Sequence, residues 1–428
     1  MRATPTVALR AALVWPVFVL LVLASMASGS VQRRPDAVTN KADAEIVQFA
    51  KHKQAQMLAL SQKRKIPVPP EFTTLMAAAC RADWRAVSNA YESVRERSGW
   101  WAGSTPVDPA IHNELWHPVH EVYWVFLLLR QFHPDNLAHY REDLLTNLPS
   151  GSVLFAGTDS GRFLGTYFLD AQTNANVVLI TQNVLVDGTY EDYIRDTLST
   201  VRLPSSEEAT EAFRQYRDEI RSGRVKDDDV AIENGRISVE GVKGMMATNG
   251  QLARWIFEHN NDKHSFFVEE SYVLPWMYPY LSPCGVLMRL DKQPVSKPQD
   301  DLVKWQRIIQ DDFAFWDKIC SRFRERPELW ADVYARNTYC KMRCAIAGLY
   351  EYRYIVNAAE LAYRQAIALG SANPEASFRL ANLYLRLNKT DQAVMTLQKL
   401  SDLMPSNKQV SEALEQFKAI QRALPQAK

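Results

Sequence analysis

The residues best placed to do chemistry follow short apolar runs. Thr158-Asp159-Ser160-Gly161-Arg162 comes directly after Val153-Leu154-Phe155-Ala156-Gly157 and opens a helical stretch. Thr181-Gln182-Asn183, with Asp187 just beyond, closes a second run over 177–181. Glu269 and Glu270 close a third, begun by Phe266-Phe267-Val268. In an α/β sheet, ligands bind beside the carboxyl ends of the strands. Helix N-terminal amides together with Arg162 suit an anion such as phosphate. The candidate ligand-binding set is therefore Asp159, Ser160, Arg162, Gln182, Asn183 and Glu269. Carboxylate, amide and guanidinium together suit a sugar or phosphosugar. They suit a buried structural network equally well, with Asp159 capping the helix. The Gly-rich dinucleotide fingerprint and the phosphate-loop Lys are both missing, so no cofactor is expected.

Glu114, His117, His120 and Glu121 form another group. On a helix His117, His120 and Glu121 share a face, an arrangement able to hold a metal. Pro118 lies between the histidines, and Trp116, Val119, Tyr123 and Trp124 surround them with core residues. A structural role at a helix start, with no bound metal, is the expectation. The two-His protease signature and a nucleophile-elbow Ser are absent, and no catalytic residue is assigned. Five cysteines (Cys80, Cys284, Cys320, Cys340 and Cys344) are too few and too odd in number for a disulfide scaffold. Cys340 and Cys344 share one helix face and read as small core residues.

These groups need elements to hold them. The chain has 428 residues, enough for two or three domains. Hydrophobic residues make up 47% and charged residues 23%, a globular balance that excludes a mostly disordered chain and a polytopic membrane protein. Fifty basic against 49 acidic side chains leave a net charge of +1, which disfavours a nucleic-acid binder relying on a global basic field. Arg2 and Arg10, an apolar run over 11–24 and small residues at Ser25, Ala27 and Ser28 read as a secretory signal cleaved near Ala27, or as an uncleaved membrane anchor. The expected location is extracytoplasmic: periplasm or cell envelope.

Residues 31–42 are polar and read as a flexible lead-in. Helices are expected over 43–63, 71–79, 83–97 and 113–132, with a loop at 99–103. The apolar runs at 153–157, 177–181, 266–268 and 286–290 alternate with helices over 162–171, 190–197 and 250–259, predicting a small, mostly parallel sheet. Residues 205–229 read as an exposed helical insertion, and 230–239 as a hairpin turning at Asn234-Gly235.

Beyond the linker at 293–300 the chain reads as entirely helical and repeats itself. Leu380, Ala381, Tyr384, Ala393, Leu397, Leu400 and Pro405 have the spacing of a tetratricopeptide repeat. A shift of 34 residues gives Ile346, Ala347, Tyr350, Ala359, Tyr363 and Ala366, with Ser371 standing where Pro is usual. Residues 411–423 read as the capping helix. The expected fold class is mixed α and α/β. Residues 1–28 are the signal or anchor, 29–147 a helical segment and 148–293 the α/β domain. A helical connector over 294–339 leads to a repeat module over 340–428.

Four segments carry a resemblance: SGSVLFAGTDSGRF at 150–163, LITQN at 179–183, VEESYVLPWMYPY at 268–280 and KMRCAIAGLY at 341–350. They resemble bacterial membrane proteins related to protein O-mannosyltransferases, over about residues 145–405. In that group the segments belong to a soluble extracytoplasmic portion, often followed by tetratricopeptide repeats. The membrane-embedded portion with the acidic catalytic residues has no counterpart here, so the resemblance implies no catalytic residue. The expected role is binding or scaffolding of a protein or peptide in the repeat groove. The alternative is an accessory or catalytic part in envelope glycosylation, taking a glycan or phosphosugar at the α/β edge.

Overall fold

The computed structural model describes residues 36–98, 107–157, 160–170, 176–222, 230–233, 236–239 and 242–423. The signal segment, the loop at 99–103, Thr158, Asp159 and the hairpin turn at Asn234-Gly235 lie outside the described residues.

Helix α1 (Asp36–Arg64) buries Ile46, Phe49, Ala50, Met57 and Leu60 along one face. It begins within the stretch expected to be a lead-in. Polarity misled there: no Gly or Pro occurs from Asp36 to Ile66, and a helix needs no apolar stripe in its first turns. Helix α2 (Pro70–Ala79) starts on a proline, whose missing N–H costs nothing in a first turn. Asp83 caps α3 (Trp84–Arg95) by accepting from the Ala86 N–H at 3.1 Å. Helix α4 (Trp116–Gln131) is buried nearly all round and forms the axis of this unit. Trp84 and Tyr91 of α3 pack on its Tyr123 and Trp116, with the Tyr91 and Tyr123 rings stacked 3.5 Å apart. His133-Pro134 ends α4 and at once begins α5 (Pro134–Leu145), a helix that the sequence reading passed over.

Strand β1 (Val153–Ala156), helix α6 (Ser160–Asp170), strand β2 (Val178–Thr181) and helix α7 (Gly188–Thr197) follow in the expected alternation. Next come α8 (Ser206–Arg221), the two-stranded ribbon β3 (Val230–Glu233) and β4 (Arg236–Val239), and α9 (Val242–Glu258). Strands β5 (Phe266–Glu269), β6 (Leu281–Cys284) and β7 (Leu287–Leu290) complete a sheet of order β2-β1-β5-β7-β6. β2, β1 and β5 are parallel, while β7 and β6 join as an antiparallel hairpin. β6 carries Pro283 and was not expected. As the edge strand it has an N–H row that needs no further partner, so proline is tolerated.

Helix α10 (Leu302–Glu325) and the short α11 (Pro327–Trp330) lead to five helices: α12 (Val333–Tyr352), α13 (Val356–Leu369), α14 (Pro374–Arg386), α15 (Thr390–Leu403) and α16 (Lys408–Ala423). Ala347 and Ala381, like Ala359 and Ala393, are wholly buried, so paired helices close tightly on small residues. The turns within the two repeats match as well. Tyr354 and Asn388 both adopt positive φ, 60° and 57°, and stand one repeat length apart. A left-handed backbone costs a non-glycine residue about 1–2 kcal/mol. The Tyr354 side chain is 89% exposed and recovers little of that. Tyr354→Gly should therefore raise unfolding stability by about 1 kcal/mol, and Tyr354→Ala should not. Urea midpoints that fail to separate the two variants would refute this account of the turn.

Candidate functional site

Parallel pairing sets Ala156 beside both Thr181 and Glu269, so the residues that follow these three leave the sheet on one side. Ser160, Gln182, Asn183 and Glu269 all sit at this edge. Asp159 lies outside the described residues. Arg162, one turn into α6, faces the N-terminal helices: its Nη2 is 3.7 Å from Glu121 Oε1, and its guanidinium lies over the rings of Phe163 and Tyr190.

Two carboxylates from β5 and the residue after it dominate the edge. Glu269 is fully buried and Glu270 nearly so. Tyr140 on α5 donates to Glu269 Oε1 at 3.1 Å. Asn183 Nδ2 donates to Glu270 Oε2 at 3.0 Å, and the Tyr272 N–H to Glu270 Oε1 at 3.0 Å. Lys341, reaching in from α12, places its ammonium 3.5 Å from Glu269 and 3.8 Å from Glu270. Gln182 Nε2 ties the Tyr272 carbonyl at 2.9 Å, and Ser160 Oγ meets Thr338 Oγ1 of α12 at 3.0 Å. Gly157 and Gly161 form the cradle. A methyl group on Gly161 would fall inside the Glu269 carboxylate, and one on Gly157 inside that of Glu270. These glycines serve close approach, since neither has a positive φ.

Sequence reasoning missed Lys341, Tyr140 and Thr338. One signal was available. Lys341 and Arg343 are the only polar residues in the otherwise apolar run from Cys340 to Leu349, and a buried cation requires a carboxylate. Arg343 finds Asp312 at 2.6 Å, with Tyr350 also donating to Asp312 at 2.7 Å.

A second buried network lies behind α6. Lys53 pairs with Glu121 at 2.9 Å, and Tyr193 donates to Glu121 at 3.0 Å. Burial works against the Lys53 charge, but Glu121 with Tyr193 and Asp170 outweighs it and holds the ammonium above its ordinary pKa. His117 Nε2 meets Thr189 Oγ1 at 3.0 Å, and His120 Nδ1 meets the Tyr91 hydroxyl at 2.9 Å. Burial first, then the nearby Arg162 charge, pushes both imidazoles well below the usual histidine pKa. These histidines are neutral core residues that join α4 to α3 and α7. All five cysteine thiols are unpaired, and burial raises those of Cys340 and Cys344.

Residues 356–417 match the family model of the tetratricopeptide repeat. The match begins at α13 and runs through α14 and α15 into α16. No curated protein and no solved structure matches the chain.

Two outcomes follow from the burial. Lys341→Met would leave two carboxylates without their ammonium and should cost about 3–5 kcal/mol in urea unfolding, part of it recovered in Lys341→Met with Glu269→Gln. A loss within experimental error of zero would show that the cluster holds nothing together. The histidines give a pH signature. Their folded pKa lies below the unfolded value of about 6.5, so the unfolded chain takes up protons first. Stability is complete above about pH 6.5 and should decline as pH falls below it, by up to about 1.4 kcal/mol per pH unit for each histidine. His117→Asn with His120→Gln should flatten that slope, and an unchanged slope would count against it.

Proposed function

We propose that the protein is an exported cell-envelope component that binds a protein partner through its tetratricopeptide stack, without catalysis of its own. The repeat match over residues 356–417 carries this reading, because stacked helix pairs present extended surfaces to peptides and helices. The stack is fixed to the remainder of the chain by buried polar contacts. Arg353 donates to the carbonyls of Pro279 at 2.7 Å, Tyr278 at 3.1 Å and Val295 at 3.2 Å, and Arg379 to that of Ser271 at 3.0 Å. A module fixed in this way carries its partner in a defined orientation. Export rests on the basic, apolar and small-residue order of residues 1–28. Among the described residues no helix is long and apolar enough to cross a membrane. Membrane retention would therefore fall to the N-terminal segment.

A second reading is supported by the polar groups at the ends of the parallel strands and by the segments resembling protein O-mannosyltransferase-related proteins: a sugar or phosphosugar bound at Ser160, Gln182, Asn183 and Glu269. Ser160, Glu269 and the amide N–H groups of Gln182 and Asn183 already bond neighbouring side chains or the backbone, while the amide oxygens of Gln182 and Asn183 have no protein partner among the described residues and are left to accept from a ligand. Thermal melting with mannose 1-phosphate separates the readings. The scaffold reading expects no shift, while a saturable rise lost in Asn183→Ala would favour the sugar.

In-cell crosslinking of the full chain, followed by identification of the attached protein, should give one dominant envelope partner. Recovery of the full-length chain from the cytosol with no crosslinked partner would overturn the proposal.

A further inference from the structure

The inner helices of the stack face their own chain. Lys341 on α12 meets Glu269 and Glu270 at 3.5 and 3.8 Å, Tyr352 at the end of α12 stacks on Tyr278 at 4.8 Å, and Arg379 on α14 binds the Ser271 carbonyl at 3.0 Å. A partner seeking that face would have to displace these contacts. On the other side a trough of about 350 Å³ runs between α13 and α15, with α14 as its floor. Leu380 and Leu400 are buried at its base, while Met395 and Leu403 stand on its wall, 58% and 56% exposed. Arg364 and Lys399 are the charged residues lining it, and no carboxylate does. Arg364 is bonded along its own helix to Glu360 at 2.9 Å and to the Tyr384 hydroxyl at 2.8 Å. Lys399 is exposed and, among the described residues, makes no ion pair.

We propose that this outer trough between α13 and α15, and not the inner face of the stack, is where the partner docks, and that the partner is an amphipathic helix whose apolar stripe is flanked by acidic residues. The proposal rests on the reading of the stack as a binding module. The trough's walls and floor are helices, so a further helix can set its side chains between their ridges. Its base takes the apolar stripe, and Lys399, the lining cation that Arg364's pairing with Glu360 leaves as the uncompensated charge, complements a carboxylate along the edge.

The test uses the full chain and two synthetic helical peptides that share one leucine stripe, flanked by glutamates in one and lysines in the other. Fluorescence anisotropy should show the glutamate peptide binding more tightly by about tenfold or more, with affinity falling as salt is raised. The Met395 methyl resonance should shift on binding. Met395→Glu should abolish binding with an unchanged melting temperature, because that side chain is largely exposed. Lys399→Glu should move the preference toward the lysine peptide. The proposal fails if neither peptide binds, or if glutamate-peptide binding survives Met395→Glu. It fails equally if Met395→Glu instead dissolves a dimer of the chain, which would give the trough to a second copy. An envelope partner that still crosslinks to the Met395→Glu protein would sink the trough and leave the scaffold reading standing.

Discussion

One ammonium held between two carboxylates governs how this molecule is assembled. Lys341 comes from the first repeat helix, and Glu269 and Glu270 come from the end of the central parallel strand. Tyr140 adds the N-terminal helical unit through its bond to Glu269. Three parts of the chain thus meet at a point closed to water. Breaking a buried pair strands a charge where nothing solvates it, so drawing any one of these parts away from the others is costly. The Gly157 and Gly161 cradle follows from the same constraint. The carboxylates reach this position because the neighbouring backbone carries no side chain there.

The same device recurs at the other junctions. Lys53 and Glu121 join α1 to α4 and reach α6 through Arg162. Arg343 and Asp312 join α12 to α10, with the guanidinium over the ring of Phe313 at 4.5 Å. Arg322, Asp143 and Tyr339 join α10, α5 and α12. In each case an ion pair lies among aromatic rings. The rings contribute the burial energy, and the charges allow a single orientation. The candidate ligand residues at the sheet edge also join parts of the chain, for the Asn183 amide N–H donates to Glu270, that of Gln182 to the Tyr272 carbonyl, and Ser160 meets Thr338.

Fixing the stack in this way has a consequence for binding. The inner helices α12 and α14 contact the chain at the end of β5, at Glu269 and Ser271. The apolar surface left open lies outward, at Met395 and Leu403.

Much of the fold was legible because helix and strand periodicities are local properties. Apolar spacing marked α1 and α4, short Val- and Leu-rich runs marked β1 and β2, and the small and aromatic positions set the repeat phase that the left-handed turns at Tyr354 and Asn388 share. The misses were also local in cause. The start of α1 is polar, α5 follows its neighbour through a single proline, and β6 contains a proline that only its edge position permits. The sequence also predicted Asp159, Arg162, Gln182 and Asn183 at one edge, because strands that return through a helix run parallel. Gln182 and Asn183 are there beside Glu269, whereas Arg162 turns toward Glu121 and Tyr190, and Asp159 lies outside the described residues. The sequence could not show that Lys341 closes that edge, or which side of the stack stays open. Both depend on how separate layers cross, and the charge that pairs with a buried carboxylate is set by proximity in space between residues distant in the chain. Only the tertiary structure decides that.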